Sequence, residues 1–243
     1  MEIIDAHVHT GRWGEEFWHA ENDIDDTVNV MKKFNISEAV CMPARLTSNE
    51  SLMLDIKKSK FRFHFACWIN PFDRELDTFI ENNFNDIAVF KFHPSFQRMS
   101  VTDEAYKKYF EIAEESKKPV IIHCGRWKEI AGYNFGFEIA RRYPKLNVIL
   151  AHLGGDSADL CIPCAKAAGE SQMKNIFLGT ESVREIHYVR KVVEYAGYER
   201  IIFGSDYNLC LPGVFIPNIE YLNIPDSQKE MIFSGTIKNL LNG

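Results

Sequence analysis

Ile3-Ile4-Asp5-Ala6-His7-Val8-His9 is an apolar run near the start of the chain that carries two imidazoles at its far end. A short, β-prone run of this kind predicts a strand. Side chains alternate faces along a strand, so His7 and His9 point the same way, roughly 7 Å apart along the chain. That spacing is within reach of one metal ion. Seven more apolar runs follow, at Glu38 to Met42, Arg62 to Ile69, Ile87 to His93, Val120 to His123, Asn147 to His152, Asn175 to Gly179 and Arg200 to Gly204.

Between the runs lie segments with helical spacing, for example Asp25 to Phe34, Asp73 to Phe84, Asp103 to Ser116, Phe135 to Tyr143 and Val183 to Tyr195. Three of them begin with an aspartate in the capping region. Strand and helix alternate at intervals of about 25 to 30 residues, a rhythm that predicts parallel βα units. Eight such units suit a closed α/β (β/α)8 TIM barrel, which typically takes about 250 residues as one domain. A doubly wound sheet would more often show a GxGxxG after its first strand, and the sequence has none. No long Gly/Ser/Pro linker divides the chain, so residues 1–243 read as a single domain. The stretch from Ile216 to Leu241 reads as C-terminal helices that close the bottom or side of the barrel.

Composition narrows the function classes. The 28 basic and 34 acidic side chains give a net charge of −6, which argues against a nucleic-acid partner. No stretch reaches the ~20 apolar residues of a spanning helix, so no membrane partner is expected. The start, Met1-Glu2-Ile3-Ile4-Asp5, is acidic where a signal peptide is basic, and a cytoplasmic location is the expectation. Cys41, Cys67, Cys124, Cys161, Cys164 and Cys210 lie mostly in or beside apolar runs and read as free thiols. Cys161 and Cys164 form a CxxC with no second pair to complete a zinc site, so their reading is structural.

Polar residues concentrate at the strand ends: His7 and His9, Lys91 and His93, His123, His152 and Asp206. In a (β/α)8 barrel these ends meet at one face, where active sites lie. Parity points the same way. Ile121 with His123, Leu150 with His152, Val89 with Lys91 and His93, and Ile202 with Gly204 and Asp206 each put a polar group two positions after an apolar one. The row is then apolar below and polar at the top.

His7, His9, His123 and Asp206 would make a metal site with an open position for water, which the ion acidifies to a pKa of about 7. Mixed nitrogen and oxygen donors suit Zn2+, with Mn2+, Fe2+ or Ni2+ as alternatives. His152 is placed to polarise a substrate oxygen or move a proton. Asp206 could cap the following helix, but beside four strand-end histidines it reads as ligand and proton acceptor. Lys91 has three readings: pairing with a carboxylate, binding an anionic substrate, or carboxylation into a bridge between two metals. His93, followed by Pro94, either shapes the pocket or binds metal. His19, His64 and His187 lack comparable placement and read as structural or solvated.

The series DAHVH, KFHP, IIHCG, AHLGG and FGSD, in this order and at these intervals, resembles the amidohydrolase superfamily, and within it the amidohydrolase-2 branch of metal-dependent hydrolases and decarboxylases. The likeness runs from Ile3 to a tail, Ser234 to Leu241, similar to the family's closing GNAxRLL, with Thr236 where Asn is usual. It implies a (β/α)8 barrel, a divalent metal held at His7, His9, His123 and Asp206, and a catalytic role for His152. Lys91 stands where other branches of the superfamily use a bridging carboxylated lysine, whereas the amidohydrolase-2 branch is usually mononuclear, so one ion is favoured over two.

The leading expectation is hydrolysis of an ester, lactone or amide in a small anionic substrate, with Arg12, Trp13, Arg126 and Tyr207, together with Trp127 and Asn208, lining the pocket. Non-oxidative decarboxylation of an aromatic or unsaturated acid is the alternative, since the branch performs it with the same ligands. A nuclease like the TatD group also opens with HxH, but the fourth-strand glutamate of that group is missing here. A barrel that binds metal or ligand without catalysis is the non-enzymatic reading. A small-molecule substrate is the expected partner, and a homo-oligomer is compatible with the sequence.

Overall fold

The computed structural model describes residues 1–125 and 127–243. Each of the eight apolar runs forms a strand: β1 (Ile3–Arg12), β2 (Ile36–Pro43), β3 (Arg62–Ile69), β4 (Ile87–Phe92), β5 (Val120–Ile122), β6 (Val148–Leu150), β7 (Ile176–Gly179) and β8 (Ile201–Ile202). They pair in chain order and in parallel. The ring closes where the segment after β8 returns to β1: Ala6 N donates to Phe203 O at 3.0 Å, Asp206 N donates to His7 O at 2.9 Å, and Val8 bridges in parallel to Tyr207. A two-residue strand, Glu21–Asn22, pairs antiparallel with Gly11 and Arg12 at the rim. The fold is the α/β TIM barrel.

Helices fill the connections: α1 (Ile24–Lys33), α2 (Asn49–Lys58), α3 (Leu76–Asn83), α4 (Lys107–Glu115), α5 (Tyr133–Arg142), α6 (Ala158–Glu170), α7 (Ile186–Ala196), α8 (Pro212–Glu220) and α9 (Thr236–Leu241). The start of α1 is set by a reciprocal capping box between Asp23 and Asp26, and its last turn carries Lys32 and Lys33. The helix buries Thr27, Val28 and Met31 on one side. Cys161 and Cys164 sit one turn apart on the buried face of α6 as free thiols, and burial pushes the Cys161 thiol up to about 11. The CxxC is thus a packing element. Among the described residues, no helix is long and apolar enough to cross a membrane.

Two apolar layers result. Ile4, Ala6, Val40, Met42, Ala66, Val89, Ile121, Ile149 and Ile202 fill the barrel interior, and Ile237 and Leu240 of α9 pack against them. The terminal helix therefore plugs the bottom, one of the two placements expected. The other layer, which includes Val8, Cys41, Phe90, Val120 and Leu178, joins the outer strand faces to the helices. Leu150 belongs to that outer layer, while its neighbours Ile149 and Ala151 face the interior. The expected parity of Leu150 with His152 is therefore wrong, although His152 does reach the site. The reason is a break in the backbone: β6 ends at Leu150, and His152 and Leu153 adopt left-handed φ values of 58° and 55°. That turn, not strand alternation, aims the imidazole.

Candidate metal centre

β1 is irregular where it matters. Between Asp5 and Val8 it carries one more residue than β2 opposite, where Ala39 and Cys41 are the partners. Such a bulge turns a strand locally and re-aims side chains. Asp5, fully buried, braces it: Oδ1 accepts from His7 N at 3.2 Å and from Ser205 N at 2.9 Å. Burial raises the Asp5 carboxyl to about 7, with the Ser205 and His7 hydrogen bonds opposing.

His7 and His9 emerge from this bulge with their Nε2 atoms 3.3 Å apart. His9 Nδ1 donates to Pro43 O at 3.1 Å, so its Nε2 presents a lone pair. Asp206 Oδ1 lies 3.7 Å from His7 Nε2 and 3.5 Å from His9 Nε2. One ligand atom from each of His7, His9 and Asp206 lies within 4.8 Å of the others, and all three residues are buried. Ser182 Oγ donates to Asp206 Oδ2 at 2.6 Å, which fixes the carboxylate with Oδ1 toward the imidazoles. Asp206 itself sits at a left-handed φ of 63°.

Electrostatics favour a cation at this triangle. Burial holds the His7 imidazole well below its ordinary value, with Lys91 adding to the effect. Burial likewise pushes His9 down to about 4, against the pull of Asp206. Burial would raise the Asp206 carboxyl, but His7, His152, His9 and the Ser182 hydroxyl outweigh it and hold the group below the usual carboxylate value. Neutral imidazoles and an ionised carboxylate are the protonation states a metal needs. The donor set fits a divalent ion of the Zn2+ or Mn2+ kind.

The other strand-end groups surround this triangle. Lys91, fully buried on β4, donates to His7 Nε2 at 3.1 Å, and burial brings its amine down to about 8, with Glu181 and Asp206 opposing. His123 was expected as a fourth ligand, but it stands outside the triangle. Its Nδ1 meets His152 Nε2 at 3.0 Å, and its ring stacks on His93 with centroids 3.9 Å apart. His93 in turn stacks on Trp68 at 5.2 Å, and its Nδ1 accepts from Phe96 N at 3.4 Å. It shapes the pocket wall and caps the short helix Pro94–Gln97.

A cavity of about 480 Å³ opens above these residues, walled by Trp13, Phe17, Phe96, Trp127 and Leu209. Trp13 is buried, sets its ring edge-on to His9 at 4.8 Å, and donates Nε1–H to Asn208 Oδ1 at 2.7 Å. The expectation for Arg12 is corrected: its side chain is 72% exposed and faces Glu21, its partner in the antiparallel pairing at the rim. Tyr207 is corrected too. It packs in the outer apolar layer, since the backbone turn at Asp206 directs it away from the cavity. Arg126 lies outside the described residues.

Contributors absent from the sequence reading include Trp68, Phe96, Glu181 and Ser182, along with the cavity walls Phe17 and Leu209. Trp68 follows Ala66 by two positions on β3 and so shares its inward face, a parity signal available in the sequence. Glu181 and Ser182 lie just beyond β7, a strand whose polar end drew no attention because it carries no histidine. Phe96 lies beyond the Lys91–His93 run, and no periodicity points to it.

The amidohydrolase family model matches residues 4–242. The chain belongs to the amidohydrolase-2 family. It is an enzyme of a divalent-metal-dependent family whose structural neighbours include both hydrolases and decarboxylases. A search of curated proteins finds no matching sequence. Among solved structures, it is similar to an amidohydrolase from Burkholderia multivorans at 11% identity and a TM-score of 0.77, covering 100% of this chain and 99% of that one. It is similar to a Pseudomonas putida protein assigned as a 2-pyrone-4,6-dicarboxylic acid hydrolase, at 14% identity and a TM-score of 0.77, covering 99% and 97%. It is also similar to a dihydroxybenzoic acid decarboxylase from Polaromonas, solved with manganese and 2-nitroresorcinol, at 14% identity and a TM-score of 0.73, covering 99% and 97%. At these identities the neighbours speak to the fold alone.

Proposed function

We propose that this enzyme hydrolyses an ester, lactone or amide bond in a small anionic substrate that carries a planar ring. The observation behind this reading is the convergence of His7 Nε2, His9 Nε2 and Asp206 at the base of an aromatic-walled cavity, beside a buried lysine. His7, His9 and Asp206 would hold the divalent ion. Such an ion acidifies water and polarises a carbonyl oxygen.

The protein's own groups supply the rest. Asp206, ionised and oriented by Ser182, takes the proton of the attacking water. His152 Nδ1–H is held by the Glu181 carbonyl at 3.1 Å, so His152 acts in its doubly protonated form. Its Nε2–H stabilises negative charge developing on the substrate oxygen and passes its proton to the leaving group, and the proton taken up by Asp206 replaces it. Lys91 attracts the substrate's carboxylate to the cavity base, and Trp13, Phe17, Phe96 and Trp127 enclose the ring.

Asp206→Asn is expected to lower kcat by roughly 10²–10⁴-fold, the usual contribution of a proton-transfer group. His7→Ala is expected to lose bound metal, and chelation of the wild type to abolish a turnover that added divalent ion restores. Metal content and turnover at wild-type levels in both variants would refute the assignment.

The aromatic walls beside Lys91 favour one second reading, decarboxylation of an aromatic acid. Carbon dioxide release from aromatic acids, with no 18O from labelled water in the ring product, separates it from hydrolysis.

A further inference from the structure

Glu181, just past β7, is 1% exposed and touches both ends of the site without belonging to the metal triangle. Its Oε1 accepts from His7 Nδ1 at 2.8 Å and from the His152 backbone N–H at 3.2 Å. Its carbonyl oxygen lies 3.1 Å from His152 Nδ1. One residue thus holds a histidine of β1 and, twice over, the histidine that follows β6.

Room for this carboxylate is built into the sheet. A Cβ at Gly179 would lie 2.3 Å from Glu181 Oε2, and one at Gly204 would lie 2.9 Å from the same oxygen. Two adjacent strand ends therefore carry glycine where any other side chain would collide with it.

The opposite face of His7 gives independent information. Lys91 Nζ lies 3.1 Å from His7 Nε2, and a lysine head group offers donors to such a partner. His7 Nε2 must then be the acceptor and Nδ1 the nitrogen that carries the proton, the arrangement Glu181 demands. We propose that Glu181 is a positioning residue that fixes His7 in the Nδ1–H tautomer and holds His152 in register with it. The Nε2 lone pair of His7, engaged by Lys91 in this structure, is then on the side of His9 and Asp206, where a cation that displaces the lysine would meet it. The consequence for affinity rests on the proposed metal-holding role of that triangle; the tautomer does not.

The test uses the full-length, 15N-labelled enzyme. In the metal-stripped wild type, long-range 1H–15N correlations, with His7 assigned by loss of its signals in His7→Gln, should show His7 protonated at Nδ1. Glu181→Ala should shift His7 toward the Nε2–H form. In chelator competition with Mn2+ or Zn2+, its affinity should fall about 10- to 100-fold, the range for loss of a carboxylate behind a ligating histidine. Glu181→Gln keeps an acceptor oxygen but removes the charge, so it should retain the Nδ1–H tautomer and bind about tenfold more weakly. Glu38→Gln is the control. It removes the charge from another carboxylate–histidine pair, the part-buried Glu38 Oε2 with His64 Nε2 at 2.7 Å, and should leave metal affinity unchanged.

A wild type with the His7 proton on Nε2 overturns the proposal. So does a folded Glu181→Ala with wild-type tautomer and affinity. Should that variant fail to fold, unchanged affinity in Glu181→Gln overturns it instead. A wild type that takes up neither ion yet shows the tautomer dependence supports the positioning role and sinks the metal reading, so the two failures are distinguishable.

Discussion

At the scale of single residues, the site depends on where side chains are missing as much as on where they point. Gly204 is the sharpest case. A methyl group there would meet Glu181 Oε2 at 2.9 Å and His7 Cβ at 3.0 Å, and neither can retreat within a buried site. Gly204→Ala is therefore expected to cost about 1–3 kcal/mol, as overpacking does, and to weaken metal binding through displacement of His7. Thermal unfolding and chelator competition on the same sample check both parts. The residues that carry charge or a lone pair were legible in the sequence because a histidine at a strand end stands out against apolar neighbours. Glu181 was not, since an isolated glutamate beyond a strand looks like any solvated loop carboxylate. Its burial follows from His7, 174 positions away.

At the scale of elements, the eight strands were legible because buried parallel strands read as continuous apolar runs. Boundaries and parity were less so. β5 and β6 each have three residues and β8 has two, because the chain leaves the sheet early to turn polar groups into the cavity. Alternation predicts orientation only while the backbone stays extended. It fails at the β1 bulge and at His152, where left-handed φ values replace it. Helix starts were legible only to within a few residues. Asp103 caps the turn Glu104–Tyr106 ahead of α4, but α1 is capped by Asp23 and not Asp25, and α3 begins at Leu76, beyond Asp73, with no side-chain cap. Asp23 accepts from Asp26 N at 2.8 Å, and Asp23→Ala should cost about 1 kcal/mol. Circular dichroism melting of the variant measures that loss, and with the site untouched, metal affinity should not move.

At the scale of the whole molecule, the barrel is a cylinder closed at the bottom by its own C-terminus and open at the top. Ile237 of α9 is fully buried among interior residues such as Ile4, Val40 and Val89. Ile237→Ala should destabilise by about 3 kcal/mol, the scale of a buried aliphatic truncation that leaves a cavity. Denaturant unfolding measures it, and an effect below about 1 kcal/mol would mean that α9 does not act as the plug. What the sequence determined by itself is the set of local facts: eight apolar runs, the helical segments between them and the polar groups at their ends, because each rests on neighbours a few positions away. What the tertiary structure decided is which of those groups meet. Closure of the ring brings Asp206 against His7 and His9, whereas His123 is drawn to His152 and His93, and Arg12 and Tyr207 turn outward. Those outcomes depend on bulges, left-handed turns and the glycine slot for Glu181, which are set by contacts between strands far apart in the chain.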